Sequence, residues 1–179
     1  MIFSKKGPEN TAKTIELALK VARERDIEHI VVASNTGDTA MLLQNSGKKI
    51  VCVTHAYGYK GKGENELSAE AREGLRQAGI EIVTASHVLS GVERGISGHS
   101  KGMYPAEIMA NTLRMFGHGM KVCVEISIMA LDAGTIPYGK KIIAIGGTGR
   151  GADTAAILTP EHAQEVLGTK IHEIICKPE

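Results

Sequence analysis

Four short runs rich in β-branched residues constrain this chain more than any other feature: His29–Ala33 (HIVVA), Lys49–Thr54 (KIVCVT), Ile80–Thr84 (IEIVT) and Lys141–Ile145 (KIIAI). Runs of this kind are the mark of strands buried on both faces, as in parallel sheets. Parallel neighbours need a crossover between them, usually a helix, and the intervening sequence supplies helices. Asn10 and Thr11 are placed to cap one, whose apolar stripe is Ile15, Ala18, Leu19 and Ala22 and which fades at Arg25. Thr39–Gln44 reads as a short second helix. Ser68 caps a third that runs to Ala78, with Gly79 supplying the left-handed residue after it. The alternation places the chain in the α/β class, with a mostly parallel central sheet.

The rest of the chain is less regular. Gly91–Gly102 carries Arg94 and Lys101 and reads as a solvated loop or as a lid over the strand ends. Pro105 suits the first turn of a helix carrying Ile108, Met109, Thr112, Leu113 and Phe116. Val122–Ala133 fits both periods, but its length and the closing Gly134 favour a helix. Lys121 and Glu125 lie four apart on it, either as a surface pair, the leading reading, or as a buried one. Thr159-Pro160-Glu161 opens a short helix, Ile171–Cys176 is a last strand, and Ala155–Leu158 can add another. With no linker, repeat or low-complexity tract, the expectation is one domain over residues 1–179.

Composition narrows the partners. Lys and Arg number 21 against 20 Asp and Glu, which gives no electrostatic reason to expect a nucleic acid or a membrane surface. No stretch is apolar for long enough to span a bilayer. Cys52, Cys123 and Cys176 are odd in number and form no CxxC pair, so no zinc site or disulfide framework is expected and the cytosol is the natural compartment. Aromatic residues make up only 3%, so a flat ligand would find few rings to stack on. A homo-oligomer is a reasonable prior for a chain with no second domain to cover its helices.

In an open parallel sheet the ligand site lies beyond the carboxyl ends of the strands. Here those ends read Ser34-Asn35-Thr36-Gly37, Thr54-His55, Ser86-His87 and Gly146-Gly147-Thr148-Gly149. Ser34–Thr39 could aim backbone N–H groups and the hydroxyls of Ser34, Thr36 and Thr39 at a phosphate; equally, Asn35, Thr36 and Asp38 could simply cap the helix. Asp38 favours the second reading, because a carboxylate repels a phosphate. Gly147, Gly149 and Ala152 fit a dinucleotide fingerprint formally, but the segment also reads as a backbone wall beside a ligand or as a tight turn. His55 and His87 are candidates for proton transfer or for hydrogen bonds to a ligand, and otherwise for bonding loop backbone.

At this point a resemblance enters. Residues 30–40 (IVVASNTGDTA) resemble the first strand and loop of the pyruvate kinase C-terminal α/β domain, and Ile142–Thr154 resembles its glycine-rich closing segment. The likeness is closer to a largely archaeal family of stand-alone proteins with that domain, through VTHAYG at 53–58, RMFGHGMKVCVEI at 114–126 and GGTGRGADTA at 146–155. It implies a three-layer sandwich and a cleft for a small phosphorylated molecule, which in that family is flavin mononucleotide (FMN). Carried over by position, the phosphate would rest on Ser34, Asn35, Thr36, Gly37 and Thr39, with Asp38 beside it. The ring would lie toward Thr54, His55 and the Gly147, Thr148, Gly149, Arg150 loop, resting on aliphatic side chains, backbone or Tyr57. The kinase's catalytic barrel has no counterpart in this sequence, so phosphoryl transfer from phosphoenolpyruvate is not expected. A sugar-phosphate-sensing module and a nicotinamide-dependent oxidoreductase are the alternatives.

Overall fold

The computed structural model describes all residues, 1–179. Its strands are β1 (Ile2–Phe3), β2 (His29–Ala33), β3 (Lys49–Thr54), β4 (Glu81–Thr84), β5 (Ile142–Gly146), β6 (Thr154–Thr159) and β7 (Lys170–Pro178). Its helices are α1 (Thr11–Glu24), α2 (Asp38–Met41), α3 (Ala69–Gln77), α4 (Gly91–Ser100), α5 (Pro105–Arg114) and α6 (His118–Asp132). The strands form one seven-stranded sheet in the order β1-β7-β6-β5-β2-β3-β4. The block β5-β2-β3-β4 is parallel throughout, whereas β6 runs antiparallel to both its neighbours. All four β-branched runs are therefore the parallel strands they were expected to be, in an α/β sandwich of three layers.

Each face of the sheet has its own core. On one side Ile30, Val32, Ile143 and Ile145 meet Ile15, Ala18 and Ala22 of α1, together with Ala40, Leu43 and Leu75. On the other, Val31, Val51, Ile142 and Ala144 meet Met120, Val124, Ile128 and Leu131 of α6. Strand residues that alternate between two apolar layers explain why the β2, β3 and β5 runs are so apolar, whereas β4, at the sheet edge, carries the exposed Glu81. The α6 segment, which fits both periods, is a helix, and most of its residues are buried, because sheet lies on one side and α5 on another. No helix is long and apolar enough to cross a membrane.

Ser68 caps α3 as read, its Oγ accepting from the Ala71 amide at 3.1 Å, and Gly79 takes a φ of 70°. Three segments differ. Asn10 makes no capping bond: its side chain donates to the Lys5 carbonyl instead, while Thr11 accepts from the Ala152 amide and so ties α1 to the glycine-rich loop. The expected helix 39–44 is a single turn, Asp38–Met41, followed by turns. The supposed loop 91–102 is helix α4, despite three glycines. Ties to α5 outweigh its poor propensity: Glu93 accepts from the Glu107 amide at 2.8 Å, and Ser97 donates to the Glu107 carboxylate at 2.8 Å. The first of these also places an acid at the α5 N-terminus, where it is favoured.

Candidate functional site

The carboxyl ends of β2, β3, β4 and β5 open into one cleft of about 1150 Å³, closed on its far side by α4 and the start of α6. In-register pairing sets these ends side by side, Ala33 against Val53 and Thr54 against Thr84. Of the residues expected there, Ser34, Asn35, Thr36, Asp38, Thr39, Thr54, His55, His87, Gly147, Gly149 and Arg150 all line the cleft. Gly37 and Thr148 do not. Gly37 sits buried below the rim with a φ of 90°, facing Leu67 and Leu75. Thr148 gives its amide to Asp153 at 3.2 Å, and the same Asp153 oxygen accepts from the Gly7 amide at 3.2 Å. Asp153 is fully buried and anchors the glycine-rich loop from beneath.

Most side-chain hydroxyls in the cleft are already engaged. Ser34 Oγ accepts from the Thr39 amide at 3.1 Å, and Thr36 donates to the Asp38 carboxylate at 2.8 Å. Thr54 lies 2.7 Å from the Thr84 hydroxyl and 2.9 Å from the His55 carbonyl. The backbone differs: the amides of Asn35, Thr36 and Gly37 have no acceptor within the protein. Buried or cleft-facing amides normally find one, so these three can receive an anion, Asn35 and Thr36 from the cleft lining and Gly37 from below its rim. With α2 reduced to one turn, this cradle rests on loop amides and owes little to a helix dipole.

His55 is locked at both ring nitrogens. Its backbone amide donates to Asn35 Oδ1 at 3.1 Å, which fixes the orientation of that side-chain amide. Asn35 Nδ2 must then donate to His55 Nε2, 3.1 Å away, so the ring proton sits on Nδ1 and is given to Glu66 at 2.5 Å. Both edges of the ring are spent. His87 contrasts with it: neither ring nitrogen has a partner in the protein. Loss of water pushes its pKa below the usual imidazole range; nearby Glu125 opposes this, while His55, Lys121 and Arg94 add to it. Of the two histidines, His87 is the one whose nitrogens are free to face a ligand.

Sequence reasoning missed several cleft residues. Tyr59, not Tyr57, lines the cleft; Tyr57 is exposed and donates to the Gly63 carbonyl at 2.7 Å. Only the fold distinguishes two tyrosines in one glycine-rich loop. Arg114 and His118, from the junction of α5 and α6, also line it, and neither Arg94, Arg114 nor Arg150 has a carboxylate partner. Lys121 and Glu125, read first as a surface pair, form a buried ion pair at the cleft floor, and Glu125 also accepts from the Leu89 amide at 3.0 Å. They are buried because the sheet and α5 pack around α6 and the Leu89 backbone closes on Glu125, which helical spacing alone does not reveal.

The glycine-rich segment departs from the dinucleotide fingerprint at the decisive place. That fingerprint needs a helix whose N-terminus meets the pyrophosphate, whereas here β6 follows at Thr154, antiparallel to β5. Gly147 has a local reason instead: a Cβ there would run into the Gly151 carbonyl oxygen, so the turn closes only with glycine.

Among solved structures, pyruvate kinase from Cryptosporidium parvum is similar at 16% identity over 86% of this chain, with a TM-score of 0.40. The same organism's pyruvate kinase in complex with ADP is similar at 16% identity over 95% of this chain, again with a TM-score of 0.40. This chain covers 22% and 24% of those two, so it spans about a quarter of their length or less. Residues 12–158 match the family model described as the pyruvate kinase alpha/beta domain, and the chain belongs to that family.

Proposed function

We propose that the cleft binds a small phosphorylated ligand, with FMN the best fit. The observation that carries this reading is the run of unspent amides at Asn35, Thr36 and Gly37, beside a cleft of about 1150 Å³. Such a volume accommodates a nucleotide-sized molecule, since drug-sized ligands occupy roughly 300–1,000 Å³. A phosphate accepts several N–H bonds at once and is the natural occupant of adjacent free amides. Flavin, when bound, supplies the electron chemistry; the protein positions it and shapes its surroundings. Of the chain's own groups, His87 and His118 are the imidazoles available to hold or move a proton there, because His55 is committed to Asn35 and Glu66.

The test is the visible absorbance of protein purified without added cofactor, followed by that of the acid-released supernatant. Flavin bands near one equivalent, released as FMN, are expected, as is at least ~10-fold tighter binding of FMN than of riboflavin, because charge-assisted bonds to a phosphate contribute ~1.5–3 kcal/mol each. Equal affinity for FMN and riboflavin would refute the placement of the phosphate. A colourless protein that takes up neither would refute the flavin reading.

A further inference from the structure

The cleft contains a cluster of rings that the chain's composition does not announce. His55 and Tyr59 lie with centroids 4.0 Å apart and planes tilted by 35°. His87 completes the group, 5.4 Å from His55 and 5.2 Å from Tyr59. All three line the cleft. The chain has no Trp, four Tyr and two Phe, and of these six side chains Tyr59 alone faces the cleft. It nevertheless leaves 54% of its surface exposed.

The loop that carries Tyr59 is bound to itself rather than to the core. The Tyr59 amide donates to the Ala56 carbonyl, the Gly58 amide to the Glu64 carbonyl, and the Tyr57 hydroxyl to the Gly63 carbonyl, at 3.0, 2.8 and 2.7 Å. A loop stapled in this way orders the ring before any ligand arrives, which lowers the entropy lost on binding. The ring beside it is equally fixed. Asn35 and Glu66 hold both nitrogens of His55 and Tyr59 packs over one face of its ring, so the opposite face is what remains to offer.

We infer that His55, Tyr59 and His87 form a preordered stacking subsite for a planar, uncharged heteroaromatic ring, next to the amide cradle. The inference rests on the phosphorylated-ligand reading and names which groups meet the ring end. Asn35 joins the two parts, since its backbone amide belongs to the cradle and its side chain holds His55. The ring system is thereby placed against the β3–β4 side of the cleft. Of the two places to which the resemblance directs the ring, this keeps Thr54 and His55, while Arg150 and the glycine-rich loop form the opposite wall. Asn35 and Glu66 fix the plane of the His55 ring, and loss of water disfavours a proton on His87. An electron-poor ring such as isoalloxazine stacks well on neutral, electron-rich faces and poorly on an imidazolium.

Two probes separate this inference from the phosphate reading: FMN, and lumiflavin, which has the ring but no phosphate. Tyrosine stacked on a flavin quenches its fluorescence by electron transfer, and phenylalanine does not. Wild-type protein is expected to quench both probes. Tyr59→Phe should bind them within about threefold of wild type with fluorescence recovered, and Tyr59→Leu should bind them about fivefold more weakly. His87→Ala should also weaken both. Quenching and affinity unchanged by Tyr59→Phe, Tyr59→Leu and His87→Ala, with FMN bound, would overturn the subsite and leave the phosphate reading standing. Tyr59-dependent quenching of lumiflavin with no preference for FMN would support the subsite and refute the cradle. Binding of neither probe to the wild type would overturn both.

Discussion

Replacing the charges at the cleft floor tests the packing of α6 most directly. Lys121 and Glu125 have side chains only 7% and 6% exposed, and each is the other's counter-ion. A solvated pair at this spacing is worth about 0.3–0.5 kcal/mol. Removing one member of a buried pair costs about 3–5 kcal/mol, because the other charge is left without compensation in a poor solvent. Lys121→Met strands the Glu125 carboxylate with the Leu89 amide as its remaining partner. Glu125→Gln keeps an acceptor for that amide but leaves the ammonium without a counter-charge. The double variant keeps the Leu89 bond and carries no charge, so it should lose only about 1–2 kcal/mol. The two single losses therefore should not add, and the coupling should be at least ~3 kcal/mol. Urea unfolding followed by circular dichroism reads this from the midpoints at constant slope. Single variants losing less than ~1 kcal/mol, with the double equal to their sum within ~0.5 kcal/mol, would show the pair to be solvated and the reasoning wrong.

Three further outcomes follow. Gly95 and Gly98 lie inside α4, where an added Cβ meets nothing within 4 Å. Gly95→Ala and Gly98→Ala should each stabilise by ~0.5–1 kcal/mol, seen as a higher Tm. His87 is pushed below the usual imidazole pKa by loss of water, so the unfolded chain binds the proton more readily than the native one. Its contribution to stability is then intact above about pH 6.5 and is lost as the pH falls through its native pKa; melting curves from pH 8 to 5 should show this decline flattened in His87→Gln. All three thiols are buried, and burial pushes Cys52 up to about 12 and Cys123 and Cys176 upward as well. A disulfide reagent at pH 8 should label none of them in the native protein and all three in denaturant.

What the sequence revealed and what it hid divide along a physical line. Strands β2, β3 and β5 were legible because a strand covered on both faces must be apolar throughout, and that composition survives any context. The position of the cleft followed from topology alone, since loops after parallel neighbours must converge. What stayed hidden depended on long-range contacts. Helix α4 contains Gly91, Gly95 and Gly98, and local propensity argues against it until Glu93 and Ser97 find Glu107. The burial of Lys121 and Glu125 depends on what covers α6, and nothing in the i, i+4 spacing distinguishes a covered helix from a solvated one. Tyr57 and Tyr59 differ only in which way a self-bonded loop turns. Strand β1 is two residues long, too short for any periodicity, and exists because Ile2 and Phe3 pair with the end of β7.

The Ser34–Thr39 loop shows how residue types can name a site correctly while misplacing its working atoms. Its side chains suggest a hydroxyl grip on phosphate, but the Ser34 and Thr36 oxygens are engaged with Thr39 and Asp38. The main-chain amides of Asn35, Thr36 and Gly37 are left over, beside the hydroxyl protons of Ser34 and Thr39. Asp38 then has two opposing effects: it holds Thr36 in place, and it repels a dianionic ligand across a few ångströms of partly solvated space. A charge pair at ~6 Å, near the surface, is worth ~0.7–3 kcal/mol. Asp38→Asn should therefore tighten FMN binding by threefold or more, since an asparagine oxygen can still accept from Thr36. Thr36→Ala should change affinity by less than about twofold, because the lost hydroxyl points its proton at Asp38 and not at the ligand. Fluorescence titration of both variants decides between backbone and side chain. A tenfold loss in Thr36→Ala, or a loss in Asp38→Asn, would mean that the hydroxyls turn to the phosphate on binding and that the amides are not the principal donors.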